Sequence, residues 1–234
     1  MKRIAIIGNA FGGSTTSLAE AFLNQGYKVD FYHLISRKKN VSYETFDLPL
    51  QGSLFSIVPV DSFDYDGLRR FIPFARNKCF SMYQISAIDL SLIGVRRIIN
   101  PILMLYYRKL ARRIVAQKYD FVNVIGQSKS TTFLSVILHS KGVNIVHSVH
   151  EVCMNHQIGD RLSATVFYLI EKKIPINVFS QKSAEDLVRL VDNKSFKYSV
   201  IPFSLFTGYL EYNDIDIPEL KGCLLYTSDA ADEL

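Results

Sequence analysis

Arg3-Ile-Ala-Ile-Ile-Gly8, then Asn9-Ala-Phe-Gly12-Gly13, then Ser14-Thr-Thr-Ser-Leu18-Ala-Glu-Ala-Phe22-Leu-Asn-Gln-Gly26 and Lys28-Val-Asp-Phe-Tyr-His-Leu34 open the chain. The first run is apolar without alternation, as a strand buried on both faces must be. In the third, Leu18 and Phe22 lie one helical turn apart, and Gly26 supplies the residue type that ends helices by accepting a left-handed conformation. The fourth reads as a second strand. Strand, glycine loop, helix, strand begins a βαβ unit, and such a unit requires a parallel sheet.

Outward from this start the alternation continues. Strands are predicted near 55–60, 121–126, 143–149, 176–180 and 198–202, with helices over 131–140, 162–173 and 184–191 between the later ones. The pattern predicts an α/β chain with a Rossmann-like, doubly wound parallel sheet of six or seven strands. Asp64 to Lys118 reads as an insertion between strands, aromatic first and then helical. In its helical part Leu103, Tyr107, Leu110 and Ile114 share one side, and Arg108, Lys109 and Arg112 point roughly the other way, near Arg96 and Arg97. Such a basic face is either a solvated helix surface or a contact for a membrane or lipid-linked acceptor.

The chain has 234 residues, 48% of them hydrophobic, enough for one large packed domain. Its longest apolar run, 98–107, carries Asn100 and Pro101 and is too short to span a bilayer. Met1-Lys2-Arg3 leads directly into a strand, without the pattern of a signal peptide, so cytoplasmic residence is expected. Cys79, Cys153 and Cys223 are odd in number and far apart, which suggests neither a disulfide framework nor a metal pair. The formal charge of +5 favours anionic partners such as nucleotide phosphates or acidic lipid. Nucleic acid is not an expected partner.

The loop after the first strand would present free backbone N–H groups and a helix dipole to an anion. As a nucleoside-triphosphate loop it has Gly8 and Gly13 at the right separation, but Ser14 stands where a lysine must be. As a dinucleotide loop it has Ala10 in place of the second glycine, and His33 where an acid would bind the ribose. Gly126-Gln-Ser128-Lys-Ser130 lacks the closing glycine of a nucleophile elbow. His147, His150, Cys153 and His156 recur every third residue, yet on a strand His147 and His150 face opposite sides.

Gly12-Gly13-Ser14 with Leu18-Ala19-x-x-Phe22 and Gly26-Tyr27-x-Val29, and Val143 through His150-Glu151, resemble the N-terminal domain of GT-B glycosyltransferases of family 4. Asn177 to Ser180 and Val200 to Phe203 resemble the strands that close that domain. The resemblance implies the N-terminal, acceptor-side half of a GT-B architecture over 1–213, with an interdomain linker starting at 214–222. It implies a retaining transfer of a hexosyl group from a nucleotide sugar to an acceptor hydroxyl. His150 would meet the transferred sugar as the catalytic residue, and Gly12, Gly13, Ser14 and Glu151 would bind substrate. Arg96, Arg97, Arg108, Lys109 and Arg112 would face a glycan or lipid-linked acceptor, or the inner membrane face. Most of the nucleotide sugar would be held by a second domain, and neither a cofactor nor a metal is expected.

Residues 223–234 resemble a translated sequencing adaptor, and they are expected to be foreign to the gene. Cut off before the nucleotide-binding half, the chain alone is expected to be inactive. Two other readings of the same pattern are a non-enzymatic Rossmann-like binding or assembly module and an NAD(P)-dependent oxidoreductase.

Overall fold

The computed structural model describes residues 1–9, 14–36, 57–59, 74, 77–87, 96–153, 162–191 and 195–202. Among the described residues eight strands form one sheet: β1 (Arg3–Gly8), β2 (Lys28–Ser36), β3 (Ile57–Pro59), β4 (Phe80–Ala87), β5 (Phe121–Ile125), β6 (Ile145–Val149), β7 (Ile176–Val178) and β8 (Tyr198–Val200). Their order is β3-β4-β2-β1-β5-β6-β7-β8, and every pairing is parallel except that of β3 with β4. The helices are α1 (Ser14–Asn24), α2 (Arg96–Ala116), α3 (Lys129–Ser140), α4 (Ala164–Glu171) and α5 (Gln181–Leu190).

The sheet is the expected Rossmann-like one, and helices pack on both of its faces. Alternate residues of β1 divide the core: Ile4 and Ile6 pack with Ala19 of α1, Val29 and Phe31 on one face. Ala5 and Ile7 pack with Tyr107, Leu110 and Ile114 of α2 and Leu134 and Leu138 of α3 on the other. A third cluster joins Val149, Ile176 and Val178 to Leu169 of α4 and Leu187 of α5. Gly26 ends α1 with φ +80°, while the N–H groups of Gly26 and Tyr27 close onto the carbonyls of Leu23 and Phe22. No helix among the described residues is long and apolar enough to cross a membrane.

The middle of the chain departs from the expectation. Within the stretch read as an insertion lies β4, an eight-residue strand hydrogen-bonded to β2 on one side and β3 on the other. The strand expected at 55–60 is observed over Ile57–Pro59, and it runs antiparallel at the sheet edge. Its Pro59 suits an edge, where one row of N–H groups is unpaired. Asp30, within β2, is 1% exposed. Its Oδ2 accepts from an Arg3 guanidinium nitrogen at 2.8 Å and from the Tyr119 hydroxyl at 2.6 Å. Tyr32 donates in turn to the Tyr119 oxygen at 2.7 Å. The expected domain end at 213, the expected linker over 214–222 and the 223–234 tail lie outside the described residues.

Candidate functional site

From β1 the chain winds through α1 to β2 on one side, and α2 brings it back to β5 on the other side of β1. At such a reversal the loops leaving the two central strands diverge, and a crevice opens beyond their carboxyl ends. Asn9 just after β1, the start of α1, the loop after β5 and the end of β6 lie at these carboxyl ends.

Two buried histidines fix the backbone of these loops. His33 on β2 donates through Nε2 to the Asn9 carbonyl at 2.9 Å, just past β1. His147 on β6 donates through Nε2 to the Gly126 carbonyl at 2.6 Å, just past β5, and its Nδ1 accepts from Ser135 at 2.7 Å. Gly126 has φ +112°, a conformation open to glycine and strained for other residues. Ser128 then caps α3, its Oγ accepting from the Thr131 N–H at 3.1 Å.

Burial above all lowers both histidine pKa values from 6.5 to about 4. Between these values the unfolded chain binds more protons, so stability is full above pH 6.5 and falls as the pH drops toward 4, by roughly 3 kcal/mol per histidine. Urea titrations at pH 7 and pH 4.5 are expected to show the midpoint falling substantially. An unchanged midpoint would contradict the assignment of both rings as buried and neutral.

The residues expected to act sit on this scaffold. Ser14 opens α1 and is buried, and its Oγ lies 3.4 Å from Nε2 of His150, the residue that follows β6. His150 is exposed, and its ring lies 5.0 Å from that of Phe179 at the end of β7. His147 therefore points to α3 and His150 to α1, the opposite sides expected from strand alternation. Glu151 is exposed, and the Gln127 amide brackets its backbone: Oε1 accepts from the Glu151 N–H at 3.0 Å and Nε2 donates to the Glu151 carbonyl. Thus Gln127 ties the loop after β5 to the segment carrying His150. Sequence reasoning passed over Gln127 and Phe179, because Gly126-Gln-Ser128 was weighed only as a nucleophile elbow and Phe179 only as part of a strand.

Gly12 and Gly13 lie outside the described residues, as does His156. The five basic candidates do not fall together. Arg96 and Arg97 begin α2, whereas Arg108, Lys109 and Arg112 lie exposed on its second half. At about 1.5 Å per residue the two groups are separated by roughly 17 Å or more along the helix. Among the described residues no group of three or more His, Cys, Asp or Glu could hold a metal ion.

Solved structures resemble this chain in fold. The apo structure of OtsA superposes with a TM-score of 0.50 at 10% identity, covering 87% of this chain and 50% of that one. The E. coli trehalose-6-phosphate protein bound with UDP-2-fluoro glucose gives 0.51 at 12%, covering 87% and 49%. The alpha,alpha-trehalose 6-phosphate synthase of Burkholderia multivorans gives 0.51 at 10%, covering 94% and 54%. The fold is the Rossmann-like α/β one of a single half of a GT-B architecture. At these identities the likeness is one of fold, and the chain spans about half the length of the structures it matches. No protein-family model matches the sequence, and no curated protein does.

Proposed function

We propose that the chain is the acceptor-side half of a retaining glycosyltransferase that moves a hexosyl group from a nucleotide sugar to an acceptor hydroxyl. The observation that carries this reading is the meeting of Ser14, at the start of α1, with His150, at the end of β6, across the crevice of a GT-B-type sheet. The first-turn N–H groups of α1 would offset diphosphate charge, which a helix amino end favours. His150 would hydrogen-bond the transferred sugar, strengthening that contact as charge develops at the reacting centre. Gln127 fixes the backbone of the adjacent Glu151, and the Phe179 ring lies beside that of His150. Arg96 and Arg97, at the start of α2, would steer an anionic or lipid-linked acceptor. Retention of configuration rests on the resemblance to family 4.

The division of labour assigns most of the nucleotide to a second domain, because the matched structures are about twice as long. The 234-residue chain is therefore expected to fold and to show no sugar transfer. A longer reading frame that adds a second α/β domain is expected to turn over a nucleotide sugar, measured as release of free nucleotide. Robust turnover by the 234-residue chain would overturn the division of labour. No nucleotide release by the longer protein across uridine-, guanosine- and thymidine-diphosphate sugars would overturn the transferase reading itself.

A further inference from the structure

We propose that Gln127 is a positioning residue: its side-chain amide fixes where His150 stands, and sugar transfer depends on it through His150. The proposal rests on the transferase reading above and adds to it a residue outside the expected site.

Local structure fixes the point from which this side chain starts. The β5–β6 pairing ends at Ile125 and Ser148. Just beyond it the Gly126 N–H donates to the Ser148 carbonyl at 3.1 Å. The Gly126 carbonyl accepts from Nε2 of His147 and, at 3.1 Å, from the Thr131 hydroxyl, while Ser128 caps α3. Gln127 therefore leaves a backbone held on both sides. Continued in the same register, it comes level with His150.

A glutamine amide offers an acceptor and two donors in one plane. Here Oε1 accepts the Glu151 N–H and Nε2 donates to the Glu151 carbonyl. A residue exchanges the same two bonds with its partner on an antiparallel strand. Nε2 also lies 3.5 Å from Oγ of Ser163, which caps α4 and whose own N–H donates to the Val152 carbonyl at 2.9 Å. The Gln127 carbonyl accepts from the Thr165 hydroxyl at 3.4 Å. One residue thus joins the loop after β5, the end of β6 and the start of α4.

The consequence falls on His150. The Glu151 N–H belongs to the peptide plane that leaves His150, so the amide clamp holds that plane against rotation. The His150 ring is exposed, with Nε2 3.4 Å from the Ser14 hydroxyl, and a tilt of the plane beneath it displaces the ring. A misplacement of about 1 Å at a reacting centre costs up to about a hundredfold in rate. The effect on stability is small by contrast, because Gln127 is half-buried and Glu151 exposed, and water replaces hydrogen bonds lost there.

The test has one arm on each protein. In the 234-residue chain, Gln127→Met keeps the length of the side chain and loses both bonds. The Glu151 N–H is expected to exchange with solvent roughly tenfold faster or more, while the melting temperature moves by no more than about 4 °C. In the longer protein, Gln127→Met and Gln127→Ala are each expected to lower kcat between about tenfold and a hundredfold, with KM for the nucleotide sugar within about twofold of the parent. In a His150→Ala background the same changes are expected to lower kcat by no more than about threefold further, since the group they position is gone. Should Gln127→Ala not fold, Gln127→Met carries the same comparison. Independent, multiplying losses in the two backgrounds would overturn positioning through His150. So would an unchanged exchange rate, or a fall in kcat matched by a fall in the folded fraction, which would make Gln127 a packing residue. Each of these results leaves the transferase reading standing in an active protein, whereas a longer protein without turnover overturns that reading and this role with it.

Discussion

Asp30→Ala is expected to lower stability by about 3 kcal/mol, and the melting temperature by roughly 10 °C. The carboxylate is 1% exposed and accepts from Arg3 and Tyr119, with Tyr32 donating to Tyr119 behind it. Alanine leaves the Tyr119 hydroxyl without its acceptor and the guanidinium without its counter-charge, and a buried donor stripped of its partner bears its desolvation cost unrelieved. The cost belongs at the low end for a buried pair because the Arg3 side chain is 34% exposed and water can recover part of it. Tyr119→Phe removes one hydrogen bond and is expected to cost about 1–2 kcal/mol, clearly less. Thermal or urea unfolding measures both, and equal small losses would show that the carboxylate is not the hub of this network.

In the longer protein, His150→Ala is expected to cut turnover by about two orders of magnitude or more, the scale on which removing one well-placed donor acts. Its stability is expected to shift by less than about 1 kcal/mol, since the side chain is exposed. Steady-state kinetics beside a melt of the same preparation separates the two quantities. Should the melt fall sharply while activity per folded molecule survives, His150 would be a packing residue and the proposed site would lose its centre.

What the sequence made legible was whatever local physics decides. The unbroken Ile4–Ile7 run, the Leu18–Phe22 spacing and the stop at Gly26 point to β1, α1 and the start of β2 to within a residue or so. β4 stayed hidden because Phe80-Ser-Met-Tyr-Gln-Ile-Ser-Ala87 mixes polar and apolar residues on both of its faces, and its buried Gln84 spoils the continuous run expected of a central strand. Asn123, Ser148 and Asn177 break their runs similarly. Their side chains bond one another across β5, β6 and β7, a ladder visible only once the register is known. The His150–Glu151 strand end was found by its resemblance to a family motif. Gln127 was not, since its partner is a backbone 24 positions away and backbone partners leave no mark on side-chain patterns.

The position of β1 in the sheet bears on how the chain is made. It is the first strand in chain order, yet β1 ends up central, with β2 on one side and β5 on the other. Arg3 meets Asp120 across 117 positions, so at about 5–20 residues per second roughly 6–25 s pass between the synthesis of the two. During that interval an apolar strand has one flank paired at most, and the nascent chain must be shielded from its neighbours on the polysome until β5 emerges. Halting synthesis before residue 121 would leave a product with an open central edge, prone to join other chains through the surface that β5 covers in the finished sheet.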